Sequence, residues 1–340
     1  MNAAYRIQRL LTLFHFLVCN LALDLNDEAS CQALFRNKSE AAFWPPPKTI
    51  PPELLSSYSM NGSVKVFDWY LKHKANGRAS TWHVPAFKKY IHSCRQEVAE
   101  MKENDQAWIL APVPKGPKTA EASELAGTDS KTVVKKPQCE CYGSHVCLQT
   151  LLQFQSSIQG SRVIIIGSQS FWAEAHMVAF GASYVVTYEY QQTLFDAPLN
   201  LRTNWSYVHP SDAASQYLSG QWEPVDIAFS FSSLEHDGLG RYGDPLNPDG
   251  DLQSIQKVAC LMRPGGLFFL GLPSGYDAVV WNAHRIYGSH RLQQVFNGWE
   301  LVTFVGVVDT FNKPDNTKTF NRPSMSNSIV YVMRKPKKQA

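Results

Sequence analysis

Gly167 and Glu189 stand 22 residues apart, the spacing at which nucleotide-binding βαβ units set a tight turn and then a carboxylate that accepts hydrogen bonds from ribose hydroxyls. The turn reads Gly167-Ser168-Gln169-Ser170 and carries one glycine. That is too few for backbone to close on a pyrophosphate, whereas an adenosine without phosphates asks for less of a glycine-rich cradle. The competing reading is an ordinary βαβ crossover with a surface glutamate. A second set of chemical residues lies in the loop from Asp237 to Asp251, where Asp237, Asp244, Asp249 and Asp251 put four carboxylates into 15 residues, with Arg241 and Tyr242 among them. Oxygen donors of this kind suit Mg²⁺ or Ca²⁺, and such an ion could orient vicinal sugar hydroxyls. The alternative is a turn-rich loop whose aspartates cap backbone N–H groups. Arg241 and Arg285 would then contact an acidic substrate or pair with those aspartates. Cys139, Cys141, His145 and Cys147 form a third set, able either to surround zinc or to form disulfides.

The elements that must position these residues can be read from pattern. Val163 to Ile166 is an unbroken β-branched run, as in a strand buried on both faces of a parallel sheet. Phe171 to Phe180 has helical spacing, Gly181 is placed for a left-handed C-cap, and Tyr184 to Tyr188 reads as a second strand. Strands are expected at Ser206 to His209, Val225 to Phe231 and Leu267 to Leu272, after a helix from Cys147 to Phe154. Leu301 to Val308 and Ser328 to Met333 should close the sheet as an antiparallel, hairpin-like end. Strands alternating with helices predict an α/β fold, a doubly wound and mostly parallel seven-stranded sheet, with ligands at its carboxyl edge. Before it, residues 25 to about 60 read as an irregular, proline-rich arm, helices are expected at Phe67 to Lys74 and Pro85 to Lys102, and residues 112 to 138 read as a mobile loop.

A chain of 340 residues with 44% hydrophobic and 12% aromatic residues can bury a large core. Its formal charge of +3 gives no reason to expect nucleic acid as a partner, and the basic tail Arg334, Lys335, Lys337, Lys338 reads as solvated. Arg6 and Arg9 precede the 14-residue apolar stretch Leu10 to Leu23, which fits a signal-peptide core or a short type II anchor attached to the membrane. Either places the chain in the secretory pathway, in the Golgi lumen or outside the cell. Sequons at Asn37, Asn61 and Asn204 are compatible with that compartment, and loss of Cys19 with the signal would leave six cysteines.

The second half resembles class I S-adenosylmethionine-dependent methyltransferases over roughly residues 148 to 335. The resemblance rests on Gly167, Glu189, Ser211-Asp212-Ala213, Val225-Asp226, Ser233-Leu-Glu235-His236 and Leu261-Met-Arg-Pro264-Gly265-Gly266, in that order. More narrowly, Leu239 to Asp251 and Asn282 to Gly288 resemble domain of unknown function 268. The resemblance implies that Glu189 binds ribose hydroxyls, that Asp212 meets the adenine amino group, and that Gly167, Ser168 and Gln169 pass the methionine moiety of S-adenosylmethionine. Methyl transfer to a hydroxyl needs alignment and removal of a proton, for which His236 and His284, each beyond a strand end, are candidate bases with a structural role as the alternative. Together these readings predict an O-methyltransferase acting on a glycan or other small hydroxyl acceptor. A glycosyltransferase using Asp249-Gly-Asp251 as a metal-binding D-x-D, and an inactive scaffold on the same fold, are the competing classes.

Overall fold

The computed structural model describes residues 24–36, 45–68, 70, 80–103, 139, 145–306 and 328–338. Seven strands form the main sheet: β3 (Arg162–Ile166), β4 (Tyr184–Tyr188), β6 (Asn204–Val208), β7 (Val225–Phe231), β8 (Met262–Pro273), β11 (Glu300–Val305) and β12 (Ser328–Arg334). Among the described residues five short ones lie outside it: β1 (Lys65–Phe67), β2 (Ser80–Trp82), β5 (Thr193–Phe195), β9 (Ala278–Val280) and β10 (His284–Ile286), the last pairing β9. The main sheet runs in the order β11, β12, β8, β7, β3, β4, β6. Its pairings are parallel from β6 to β8, and β12 enters antiparallel between β8 and β11. Numbered along the chain and read from the β6 edge, that order is third, second, first, fourth, fifth, seventh, sixth. The reversal between β3 and β7 opens a crevice at the carboxyl edge, the usual seat of a ligand in an open α/β sheet.

Alternation along the central strands explains the layers. Ile164 and Ile166 face one core with Phe268 and Leu270, while Val163 and Ile165 face the other with Phe229 and Phe269. The first core is covered by α1 (Glu28–Arg36), α7 (Pro210–Leu218), α8 (Gly250–Leu261) and α9 (Ser289–Val295). The second is covered by α3 (Val84–Glu103), α4 (His145–Gln153) and α6 (Trp172–Ala179). Each fully buried Ile, Val or Phe contributes about 1.5–3 kcal/mol, so the β-branched run that marked β3 also anchors the middle of the molecule. Two more helices, α2 (Pro52–Tyr58) and α5 (Gln155–Ile158), are short.

Several sequence expectations need correcting. The arm before residue 60 is not irregular throughout, since α1 and α2 lie in it and Pro52 occupies the first turn of α2, where a missing N–H costs nothing. Phe67 ends β1 instead of starting a helix, and the rest of that expected helix lies largely outside the described residues. Lys335 is not solvated: its Nζ donates to the carbonyls of Ala259 and Met262 at the end of α8, at 2.8 and 3.0 Å. Cys31 is bonded to Cys260 and Cys94 to Cys139. Cys139 is therefore not a free thiolate for zinc. The apolar segment of residues 10–23, the loop at 112–138 and Asn37 lie outside the described residues, whereas Asn61 and Asn204 are exposed. Among the described residues, no helix is long and apolar enough to cross a membrane.

Candidate functional site

A cavity of about 1230 Å³ opens at the carboxyl ends of β3, β4 and β7. Gly167 leaves β3 with φ +76°, and a Cβ there would stand 1.7 Å from Ser233 Oγ, so the turn passes the end of β7 at a distance only glycine allows. Gln169 lines the cavity, but Ser168 turns inward and donates to the buried carboxylate of Glu174 at 2.9 Å. Thr187 of β4 donates to the other Glu174 oxygen at 2.8 Å. Burial pushes the Glu174 carboxyl up to about 7, against the hydrogen bonds it accepts. A carboxyl tucked into α6 thus ties the glycine turn to the second strand, which periodicity alone could not reveal.

Glu189 sits at the tip of β4, lines the cavity and accepts the Gln191 N–H through Oε1 at 3.2 Å. Burial raises its pKa above the ordinary value. Tyr190 beside it is 63% exposed and meets His209 edge to face. Asp212 is exposed on the first turn of α7 and does not line the cavity, whereas its neighbour Ser211 does. The adenine contact expected of Asp212 therefore has no support from its position.

The opposite wall comes from β7 and β10. His236 and His284 both line the cavity, with ring centroids 6.3 Å apart. His236 Nδ1 lies 2.5 Å from the Ala283 carbonyl, which can only accept, so the proton is on Nδ1 and the Nε2 lone pair is left available. Burial pushes both imidazoles down to about 4, helped at His236 by Arg241 and Arg285 and at His284 by His236 and Arg241. Glu235, which the histidine-centred sequence reading passed over although it belongs to the Ser-x-Glu-His segment, is 1% exposed and lines the same wall. Its Oε1 accepts from Ser232 Oγ at 2.7 Å, and burial pushes its carboxyl up to about 7.

The acidic loop divides. Asp237, Arg241 and Asp244 line the cavity. Asp244 is occupied as a turn former, accepting from the N–H groups of Gly238, Gly240 and Tyr242 at 2.7, 3.0 and 3.1 Å. Asp249 and Asp251 lie away from it. Asp251 is fully buried, accepting from Tyr287 and from Arg291 Nε at 2.9 and 3.1 Å, with Arg285 Nε at 3.6 Å. Burial opposes its ionisation, but Arg285 and Arg291 outweigh that and hold its pKa below the ordinary value. Arg285 also donates to the carbonyls of Asp237, Asn247 and Pro248 at 2.5, 3.2 and 3.2 Å, so this pair clamps the loop from beneath. Among the described residues the ligand atoms of three or more His, Cys, Asp or Glu gather only at Cys94, Cys139 and His176, where the sulfurs are bonded to each other. The loop carboxylates do not converge as an Mg²⁺ or Ca²⁺ cage.

A sheet of this strand order, with a glycine turn after its first parallel strand and an acid at the tip of the second, both facing one cavity, defines a Rossmann-like fold of the class I methyltransferase type. Within that class the chain belongs to the family described as Caenorhabditis protein of unknown function, DUF268, whose model matches residues 160–335. No curated protein sequence matches it. Among solved structures it is similar to the 1,6-didemethyltoxoflavin-N1-methyltransferase of Burkholderia thailandensis, at 12% identity and TM-score 0.38, over 79% of this chain and 93% of that one. It is also similar to Aeropyrum pernix fibrillarin bound to S-adenosyl-L-methionine, at 14% identity and TM-score 0.32, over 56% and 75% of the two chains.

Proposed function

We propose that this protein is an S-adenosylmethionine-dependent O-methyltransferase acting on a hydroxyl acceptor, a glycan of the secretory pathway being the acceptor that best suits its signal-like N-terminus, disulfides and exposed sequons. The observation that carries the reading is the arrangement of two unlike walls around one cavity. On one side lie Gly167, Gln169 and Glu189 at the tips of the first two parallel strands; on the other lie Glu235, His236 and His284.

The residues present fit the cofactor. Glu189 offers a carboxylate at the strand tip, positioned to accept from vicinal ribose hydroxyls, and the turn at Gly167 brings backbone to the cavity where no side chain could fit. S-adenosylmethionine, when bound, supplies an electrophilic methyl group. The protein's own work is to align the acceptor hydroxyl, exclude water and take up its proton. Asp212 is given no part in this.

The glycosyltransferase reading loses its D-x-D, because Asp251 is sealed against two arginines and Asp249 is an exposed partner of Arg291. Calorimetric titration of S-adenosylmethionine and S-adenosylhomocysteine into residues 25–340, produced with the disulfides formed, tests the reading. Micromolar binding that Glu189→Ala loses while keeping its unfolding midpoint is the expected result. A folded wild-type protein that binds neither molecule would leave a scaffold as the better account.

A further inference from the structure

We propose that Glu235, and not either histidine, is the proton-accepting group of the site, its Oε2 receiving the proton of the acceptor hydroxyl. The inference rests on the methyl-transfer reading above and names the group that completes it.

Three observations converge on this side chain. Glu235 Oε2 is buried and makes no hydrogen bond, although the residue lines the cavity. Buried carboxylate oxygens are nearly always paired, so one left unpaired on a residue that lines a cavity points to a group that the cavity receives. The other oxygen is fixed by Ser232 Oγ at 2.7 Å, which leaves Oε2 as the atom free to act. Ser232 itself takes φ +52° at the end of β7, a left-handed conformation that a serine seldom adopts and that the surroundings must hold in place. Strain of this kind concentrates at sites where a side chain has to be aimed.

The histidines suit the task less well. His236 Nε2 lies 3.6 Å from Glu235 Oε1, and its ring is locked by the Ala283 carbonyl, an arrangement that positions the carboxylate's neighbour. Both imidazoles are driven by burial to about 4, which makes them weak bases, whereas Glu235 is raised to about 7, where a general base is both strong and available at neutral pH. Arg241, whose Nε is also buried and unpaired on this wall, favours the carboxylate form and keeps the group from being wholly protonated at neutrality. In the step itself the acceptor oxygen forms its bond to the methyl carbon, the methyl–sulfur bond breaks with its electron pair returning to sulfur, and the O–H proton passes to Glu235 Oε2. The proton then leaves to solvent through the open mouth of the cavity.

The test uses the full chain, produced with its disulfides formed, as wild type, Glu235→Gln, His236→Ala and His284→Ala. S-adenosylhomocysteine is titrated into each by calorimetry. A protonated-carboxyl infrared band is followed from pH 5 to 9. Methyl transfer from labelled S-adenosylmethionine is measured on the methyl glycosides of glucose, galactose, mannose and glucuronic acid. The inference expects wild-type affinity in Glu235→Gln and, in the wild-type minus Glu235→Gln difference spectrum, which cancels the Glu174 carboxyl that also titrates near 7, an infrared band titrating near pH 7. It also expects turnover down by about 100-fold or more, with loss of the pH limb near 7. Retained turnover with an unchanged limb, or a difference spectrum without such a band, would overturn it, and the infrared difference alone decides if no probe is methylated. Absence of S-adenosylhomocysteine binding would instead sink the methyl-transfer reading.

Discussion

Replacing Gly167 by alanine separates two costs that the structure assigns to this position. At φ +76° an L-residue pays the left-handed penalty of about 1–2 kcal/mol. The new methyl would also lie 1.7 Å from Ser233 Oγ and 2.5 Å from Ser233 Cβ. The hydroxyl can rotate away but the Cβ cannot, so the β3 turn and the end of β7 must separate, an overpacking that costs about 1–3 kcal/mol more. The combined loss should be about 2–5 kcal/mol. Gly181→Ala is the control, because φ is +92° there while the nearest atom, Gln159 Cγ, would be at an ordinary 3.5 Å. It should lose only the conformational part, about 1–2 kcal/mol. Urea unfolding of the oxidised proteins, with the slope checked for constancy, measures both. Cofactor titration of the folded Gly167→Ala protein should also show weaker binding, since the displaced turn lines the cavity, whereas Gly181→Ala should bind as wild type. Equal unfolding midpoints for the two variants would refute the close approach of the first and fourth parallel strands on which the site geometry depends.

Arg285→Met should destabilise the protein by about 3–5 kcal/mol, because it leaves Asp251 with one guanidinium and strips the carbonyls of Asp237, Asn247 and Pro248 of a donor. Hydrogen exchange should accelerate first in Gly238 to Leu246; unchanged protection there would show that the clamp does not hold the loop. Lys335 should make stability rise with alkali. Burial holds its folded pKa at about 8 against an ordinary 10.5, so the folded state gives up its proton first and gains stability as pH rises from about 8 towards 10.5. That gain should reach up to about 3 kcal/mol relative to Lys335→Met, and parallel stability curves for the two proteins between pH 7 and 10 would contradict it.

What could be read from the sequence was what repeats or what only one residue type can do. Arg162–Ile166, Tyr184–Tyr188 and Val225–Phe231 were legible because strands buried on both faces must be apolar throughout, and their order implied the sheet. Gly167 was legible because the turn leaves no alternative. The two histidines were singled out and do line the cavity, but Glu235 one position before His236 was passed over, since burial and an unpaired oxygen have no sequence period. Glu174 escaped for the same reason, lying within a helix that reads as core. Asp212 shows the limit of motif order: the Asp-Ala segment follows the third strand as the resemblance requires, yet on the first turn of α7 it is Ser211 and not the exposed Asp212 that lines the cavity.

The acidic loop shows why composition overstates chemistry. Four carboxylates in 15 residues look like a metal site until the lone pairs of Asp244, Asp249 and Asp251 are followed to their donors. Three backbone donors occupy Asp244, Arg291 pairs with Asp249, and Asp251 is neutralised by two guanidiniums in the interior. A buried pair of that kind adds little net stability over an apolar replacement, but losing one partner is costly, so its effect is to fix one loop conformation among many. Tyr58 reinforces it from the N-terminal arm by donating to the Gly238 carbonyl at 2.5 Å, and Trp281 by donating to Pro47 at 2.9 Å. The arm that precedes the sheet in sequence thus holds down the loop that follows the fourth parallel strand. The consequence falls on the cavity, because Asp237 and Arg241, which line it, can be aimed only if the backbone between them is held still.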